Sequence, residues 1–98
     1  MKIDQKNIKS IRQYFKNKPV LKAYIFGSVV KNEQNEDSDI DILVDLDYSQ
    51  KIGLLFVQMK LDLENLLNKK IDLVSSNGLS PFIKPQIEKD KKLIYERP

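Results

Sequence analysis

Apolar residues recur along the chain at two spacings, which divide it into helices and strands. Recurrence every three to four residues predicts a helix over 4–16, capped by Asp4, and a longer helix over 49–69. A further short helix is expected from about Pro85, because proline is tolerated in the first turn of a helix. Short runs rich in β-branched and aromatic residues predict strands over 20–26, 39–46, 70–74 and, at an edge of the sheet, 92–96.

The strand predicted over 39–46 alternates apolar and acidic residues. Alternation places one set of side chains on one face and the other set on the opposite face: Ile40, Ile42, Val44 and Leu46 against Asp39, Asp41, Leu43 and Asp45. Residues two apart on a strand lie on the same side, about 6.5–7 Å from each other. Asp39 and Asp41 can therefore converge on one small cluster of cations.

The long predicted helix carries two apolar lines. The first is continuous and is expected to face the core: Ile52, Leu55, Phe56, Met59, Leu63, Leu66 and Leu67. The second consists of Leu54, Val57 and Leu61. Two interpretations of this second line stay open: it packs beneath the C-terminal segment, or it forms a surface for a partner protein.

The order of elements predicts an α/β (α+β) fold with one small mixed β-sheet and helices packed mainly on one face. The chain has 98 residues, and we expect a single domain over 1–98. No apolar run approaches the roughly 20 residues of a membrane helix, and residues 1–15 lack the apolar segment of a signal peptide. A cytoplasmic protein without a membrane partner is the expectation.

Composition narrows the chemistry. The chain contains neither cysteine nor histidine, which excludes disulfides, thiol nucleophiles and histidine-based acid–base catalysis. A metal would have to be bound by oxygen, which favours Mg²⁺, Mn²⁺ or Ca²⁺. The net charge of +3 comes from lysines scattered along the sequence, so binding to nucleic acid is not expected from charge alone.

A Gly27-Ser28 pair interrupts the chain directly after the first predicted strand. A glycine lets the backbone approach a phosphate closely, and the hydroxyl and N–H groups that follow can donate hydrogen bonds to phosphate oxygens. Nucleotidyl transfer needs such a phosphate site beside carboxylates that hold two divalent ions about 3.5–4 Å apart. Asp39 and Asp41, joined by Asp72 from the third predicted strand, meet that need.

These residues also carry a family resemblance. Gly27-Ser28, ten residues, Asp39-Ile40-Asp41 and a later Asp72 resemble the pattern of the polymerase β-like nucleotidyltransferase superfamily. Within it, the length and the run FGSVVKNEQNEDSDIDILVDLD resemble the minimal nucleotidyltransferase (MNT) group, whose members are commonly antitoxin partners of HEPN-domain toxins. The resemblance covers residues 20–95 and implies the polymerase β-like nucleotidyltransferase fold.

The resemblance also implies roles for single residues. It implies that Asp39 and Asp41 bind two Mg²⁺ ions (or Mn²⁺), and that Asp72 binds the catalytic ion and helps to activate the acceptor hydroxyl. Gly27 and Ser28 would hold the triphosphate of ATP. Many relatives carry arginine shortly after the Gly-Ser pair; here Lys31 is the candidate phosphate contact, and a lysine lacks the bidentate geometry of arginine.

The implied activity is transfer of AMP from ATP to a tyrosine hydroxyl of a cognate HEPN toxin within a hetero-oligomer. Two alternatives remain. The chain could neutralise its partner by binding alone, with a weak or inactive site, or it could transfer a nucleotide to RNA or a small molecule. The last is disfavoured because the sequence has no second domain to hold such an acceptor.

Overall fold

The fold is mixed α/β, as the sequence predicts. A computed structural model describes residues 5–27 and 40–98. The elements in chain order are α1 (Gln5–Phe15), β1 (Val20–Phe26), β2 (Ile40–Leu46), α2 (Leu55–Leu67), β3 (Ile71–Ser75), a short 3-10 turn (Ser76–Gly78), α3 (Lys84–Asp90) and β4 (Lys92–Glu96). None of the helices in these described residues is long and apolar enough to cross a membrane. Asp4 and the connection over 28–39 lie outside the described residues, so the predicted helix cap is not addressed.

The described strands form one small mixed sheet in the order β3-β2-β1-β4. β1 is antiparallel to both β2 and β4, and β2 is parallel to β3. The strands predicted over 20–26 and 92–96 have those bounds, and the one predicted over 70–74 lies one residue later. The predicted fold class is therefore confirmed.

The main core lies between one face of the sheet and the two longer helices. Ile8, Ile11 and Phe15 of α1 and Met59 and Leu63 of α2 are buried against the apolar side chains of all four strands. The alternation of β2 holds as predicted, because the four apolar residues expected on one face, Ile40, Ile42, Val44 and Leu46, all belong to this core. The opposite face carries the acidic positions.

The long helix is shorter than its sequence pattern predicts. Instead of 49–69 it spans Leu55–Leu67. At its start, the Asp47 carboxylate accepts hydrogen bonds from the N–H and hydroxyl of Ser49 and from Gln50, which holds the chain in a turn. At its end, Asn68 adopts a left-handed conformation with φ of 54°, which stops a right-handed helix.

The second apolar line of α2 is exposed. Leu54, Val57 and Leu61 retain 86%, 52% and 46% of their accessible surface, so the interpretation that they pack beneath the C-terminal segment is wrong. They lie on the side of the helix away from Met59 and Leu63. Leu66, predicted to face the core, is also exposed on the helix flank.

Side chains cap both edge strands of the described sheet. The Arg12 guanidinium donates a hydrogen bond to the Ile94 carbonyl of β4, with 2.5 Å from Nε to oxygen. At the other edge, the Ile71 N–H of β3 donates to a Glu64 carboxylate oxygen at 3.1 Å. The helices thus contribute polar contacts to the sheet as well as apolar ones.

The C-terminus is also anchored. Arg97 donates from its guanidinium to Asp47 at 2.8 Å and to the Lys18 carbonyl at 3.1 Å. Its backbone N–H donates to the Leu21 carbonyl at 2.8 Å. This residue therefore ties the end of the chain to the start of β1 and the end of β2.

Candidate active site

Two of the predicted carboxylates lie side by side on the sheet. Asp41 of β2 pairs in register with Asp72 of the parallel strand β3 and with Phe26 of β1. Neighbouring strands are about 4.8 Å apart, and registered residues project to the same face. Asp72, Asp41 and Phe26 therefore form one row across the sheet.

The apolar neighbours of each aspartate fix the face on which it lies. Ile40 and Ile42 flank Asp41, Ile71 and Leu73 flank Asp72, and all four are buried in the main core. Alternation then turns both aspartates to the opposite face. Asp41 is half-buried and Asp72 is exposed to solvent.

Gly27, directly after β1, touches this row. Its φ is +75°, a left-handed conformation that favours glycine, and a Cβ at this position would collide with Oδ2 of Asp41. The backbone of Gly27 thus lies against the Asp41 carboxylate. The sequence predicts glycine here for contact with phosphate; the structure adds that glycine leaves room for Asp41.

The structure brings together three of the six predicted site residues. Gly27, Asp41 and Asp72 meet at one end of the sheet. Ser28, Lys31 and Asp39 lie outside the described residues. Across 5–27 and 40–98 there is no group of three acidic residues arranged to hold a metal ion.

The donors present nevertheless fit a hard divalent cation. Adjacent carboxylates on neighbouring strands supply anionic oxygens within the reach of one or two ions, and such oxygens are what Mg²⁺ prefers. These two aspartates are the part of the predicted ligand set that the structure describes.

A second polar cluster lies on the same face and was not predicted. The Tyr24 hydroxyl donates to Asp45 at 3.5 Å, and the Lys91 ammonium stands 4.2 Å from the centre of the Tyr24 ring. Lys91 also pairs with Glu88 at 2.7 Å, and the hydrogen bond that its ammonium donates to the Glu88 carboxylate raises the pKa of Lys91. This cluster fixes the end of α3 over the face that carries Asp41. The spacing of Glu88 and Lys91 was the available sequence signal, although such pairs are common on helices.

Comparison with known sequences identifies a family. A family model described as "Polymerase beta, Nucleotidyltransferase" matches residues 9–98. The chain is also 41% identical over 93 residues to a protein of Methanocaldococcus jannaschii that is provisionally named a protein adenylyltransferase. That alignment covers 93% of this chain and 88% of the relative.

Solved structures share the fold. One, provisionally named a minimal nucleotidyltransferase, is 30% identical and superposes with a TM-score of 0.78 over 90% of this chain and 89% of its own. Another is a complex of a tri-AMPylated HEPN toxin with its MNT antitoxin from Shewanella oneidensis. It is 21% identical, with a TM-score of 0.72 over 96% of this chain and 73% of its own, a likeness that concerns the fold.

Proposed function

Because this chain belongs to the polymerase beta nucleotidyltransferase family, we propose that it transfers AMP from ATP to a hydroxyl of a partner protein in a metal-dependent reaction. The observation that carries the proposal is the registered pair Asp41 and Asp72, with the Gly27 backbone against Asp41. Such a site offers anionic oxygens and a close backbone approach at the same place. Protein as the acceptor is supported by the name of the relative from M. jannaschii.

The metal would be held by Asp41 and Asp72, joined by Asp39. Mg²⁺ is the proposed ion, with Mn²⁺ as a substitute, because the ligands are carboxylates. When bound, two such ions would neutralise the triphosphate and ease the departure of pyrophosphate.

The residues of the chain have separate tasks in the transfer. Gly27, Ser28 and Lys31 would bind the triphosphate and orient its α-phosphate. The acceptor oxygen forms a bond to the α-phosphorus, the bond from that phosphorus to the oxygen bridging to the β-phosphate breaks, and pyrophosphate leaves. The exposed Asp72 carboxylate would accept the proton of the acceptor hydroxyl.

The proposed acceptor is a tyrosine of a HEPN-type toxin, which the added AMP silences, so that the chain acts as an antitoxin. The AMPylated HEPN toxin bound to an MNT antitoxin in the Shewanella complex supports this assignment. The two proteins would form a hetero-oligomer in the cytoplasm, where ATP is available.

The test uses ATP labelled at the α-phosphate and, in parallel, at the γ-phosphate. Each is incubated with Mg²⁺, this chain and the protein encoded by the neighbouring gene, which is the candidate HEPN partner. We expect label on the HEPN protein from the α position only. Asp41→Asn should lower the rate at least about 100-fold, since even partners of a metal ligand are worth 10–100-fold. Asp45→Asn, on the same strand and face but outside the row, is the matched control and should retain activity.

Other outcomes point elsewhere. Transfer of the γ-label would mean a kinase. A stable, inhibited complex without label from either position would instead support neutralisation by binding alone. The sequence feature that favours this alternative is the presence of Val29, Val30 and Lys31 where many relatives carry arginine.

A further inference from the structure

A groove of about 470 Å³ runs between α1 and α2, on the layer of the molecule away from the aspartate row. One continuous side of α1 and the turn after it provide most of its lining. The lining residues are Lys9, Ser10, Gln13, Tyr14, Asn17, Lys18 and Leu66.

The groove is positively charged. Lys9 and Lys18 line it, and no carboxylate does. Asp62, which is bonded to the lining residue Tyr14, accepts a hydrogen bond of 2.6 Å from the Tyr14 hydroxyl and one of 2.8 Å from Gln58. Those hydrogen bonds hold the pKa of Asp62 below its ordinary value, so it stays ionised and offsets part of the charge of Lys18. Lys9 is exposed, and none of the residues that line the groove is an acid that could neutralise its charge.

The groove also has an apolar element and fixed donors. Leu66 is 48% exposed at its wall, where it can receive an apolar side chain. Gln13 and Asn17 offer amide donors beside it. The Lys18 ammonium lies 4.8 Å from the centre of the Tyr14 ring, so this face of the ring is covered and cannot stack on a nucleic acid base.

We propose that this groove binds an acidic segment of the partner protein, with carboxylates on Lys9 and Lys18 and one apolar side chain on Leu66. The inference rests on the proposed function, since it assigns a second contact surface to the same partner. The two lysines are complementary in charge to an acidic segment. RNA is disfavoured as the occupant because only two cations line the groove and Lys18 covers a face of the Tyr14 ring on which a base could stack. Because the groove and the aspartates lie on opposite layers, docking and transfer become separable: groove residues set the affinity, and Asp41 sets the rate.

The experiment compares two charge reversals of equal size. Lys9→Glu with Lys18→Glu alters the groove, and Lys60→Glu with Lys89→Glu, at exposed positions outside it, gives the same net charge. Binding of each to the candidate HEPN partner is measured by calorimetry at low and at physiological salt. We expect the groove variant to raise the Kd about 10-fold or more and the control to change it less than about 3-fold. The rate of AMP transfer at saturating HEPN protein should be the same in both.

Lys9→Glu alone guards against misfolding, because this exposed side chain makes no hydrogen bond or ion pair with the described residues and its change should still weaken binding measurably. An unchanged Kd for the groove variants, or equal weakening by the control pair, would overturn the inference. So would competition by single-stranded RNA without competition by an acidic peptide. Weakened binding without any AMP transfer would refute the catalytic proposal and keep the groove, whereas no complex with the wild-type chain would refute both.

Discussion

Gly27→Ala tests whether the backbone at the end of β1 and the Asp41 carboxylate form one unit. The substitution has two effects in the structure. Alanine at a φ of +75° is strained, which costs about 1 kcal/mol, and its Cβ collides with Oδ2 of Asp41. Relieving the collision turns Asp41 away from its rotamer, at about 1 kcal/mol more. The sum is about 2 kcal/mol of unfolding free energy.

Gly53→Ala is the matched control. Its φ of +45° imposes similar strain, but among the described residues no atom beyond its two chain neighbours lies within 4 Å of the added Cβ. We expect a loss of about 1 kcal/mol, or a fall in Tm of about 4–8 °C for a domain of this size. The difference between the two variants therefore isolates the contact with Asp41.

The two variants should separate most clearly in activity. Displacing a catalytic carboxylate by about 1 Å can lower a rate about 100-fold, so Gly27→Ala should nearly abolish AMP transfer while Gly53→Ala retains it. Urea unfolding of the purified chain and the α-label assay with the partner protein present measure the two effects. Equal losses of stability together with equal activities would refute the reasoning, because Asp41 would then not depend on Gly27.

Two further predictions concern stability. Arg97→Met should destabilise the chain at neutral pH and much less in acid. Hydrogen bonds, first from Ser49 and then from Arg97, hold the pKa of Asp47 in the folded chain well below its ordinary value of 3.8. The stabilisation by these hydrogen bonds is therefore complete above pH 3.8 and disappears as the pH falls through the lowered pKa of the folded chain. Thermal melts at several pH values would test this, and a loss that is independent of pH would contradict it. Leu63→Ala should cost about 2–5 kcal/mol because this side chain is fully buried, whereas Leu61→Ala, on the exposed side of the same helix, should stay within about 0.5 kcal/mol. Similar urea midpoints for the two variants would place the core elsewhere.

Local patterning was sufficient to predict much of this fold. The strand alternation from Ile40 to Leu46 depends only on neighbours in sequence, and the structure keeps it. The same alternation predicts the face on which Asp41 lies. Alternation could not predict the register between β2 and β3, because that register depends on packing between distant segments. It is this register that pairs Asp41 with Asp72 rather than with a residue next to Asp72.

Two physical causes explain what local patterning could not predict about burial and about the start of α2. Leu43 is fully buried on the acidic face, and Leu61 is exposed on a helix with an apolar core side. Hydrophobicity alone does not reveal which face another segment covers, and here the C-terminal segment lies over the sheet rather than over α2, as the contact of Lys91 with Tyr24 indicates. The early start predicted for α2 failed because the hydrogen bonds of Asp47 favour a turn over a helix.

The capped edges of the sheet affect how the chain behaves when it is concentrated. An exposed edge strand offers a row of backbone groups onto which another molecule can add a strand, which is a route to fibrous aggregation. In the described sheet, the Glu64 carboxylate accepts a hydrogen bond from an N–H of β3, and the Arg12 guanidinium donates one to a carbonyl of β4. A strand approaching either edge would have to displace a charged hydrogen bond before forming its own. Polymerisation through the sheet is thereby opposed in the folded monomer, by residues that serve neither the core nor the aspartate row.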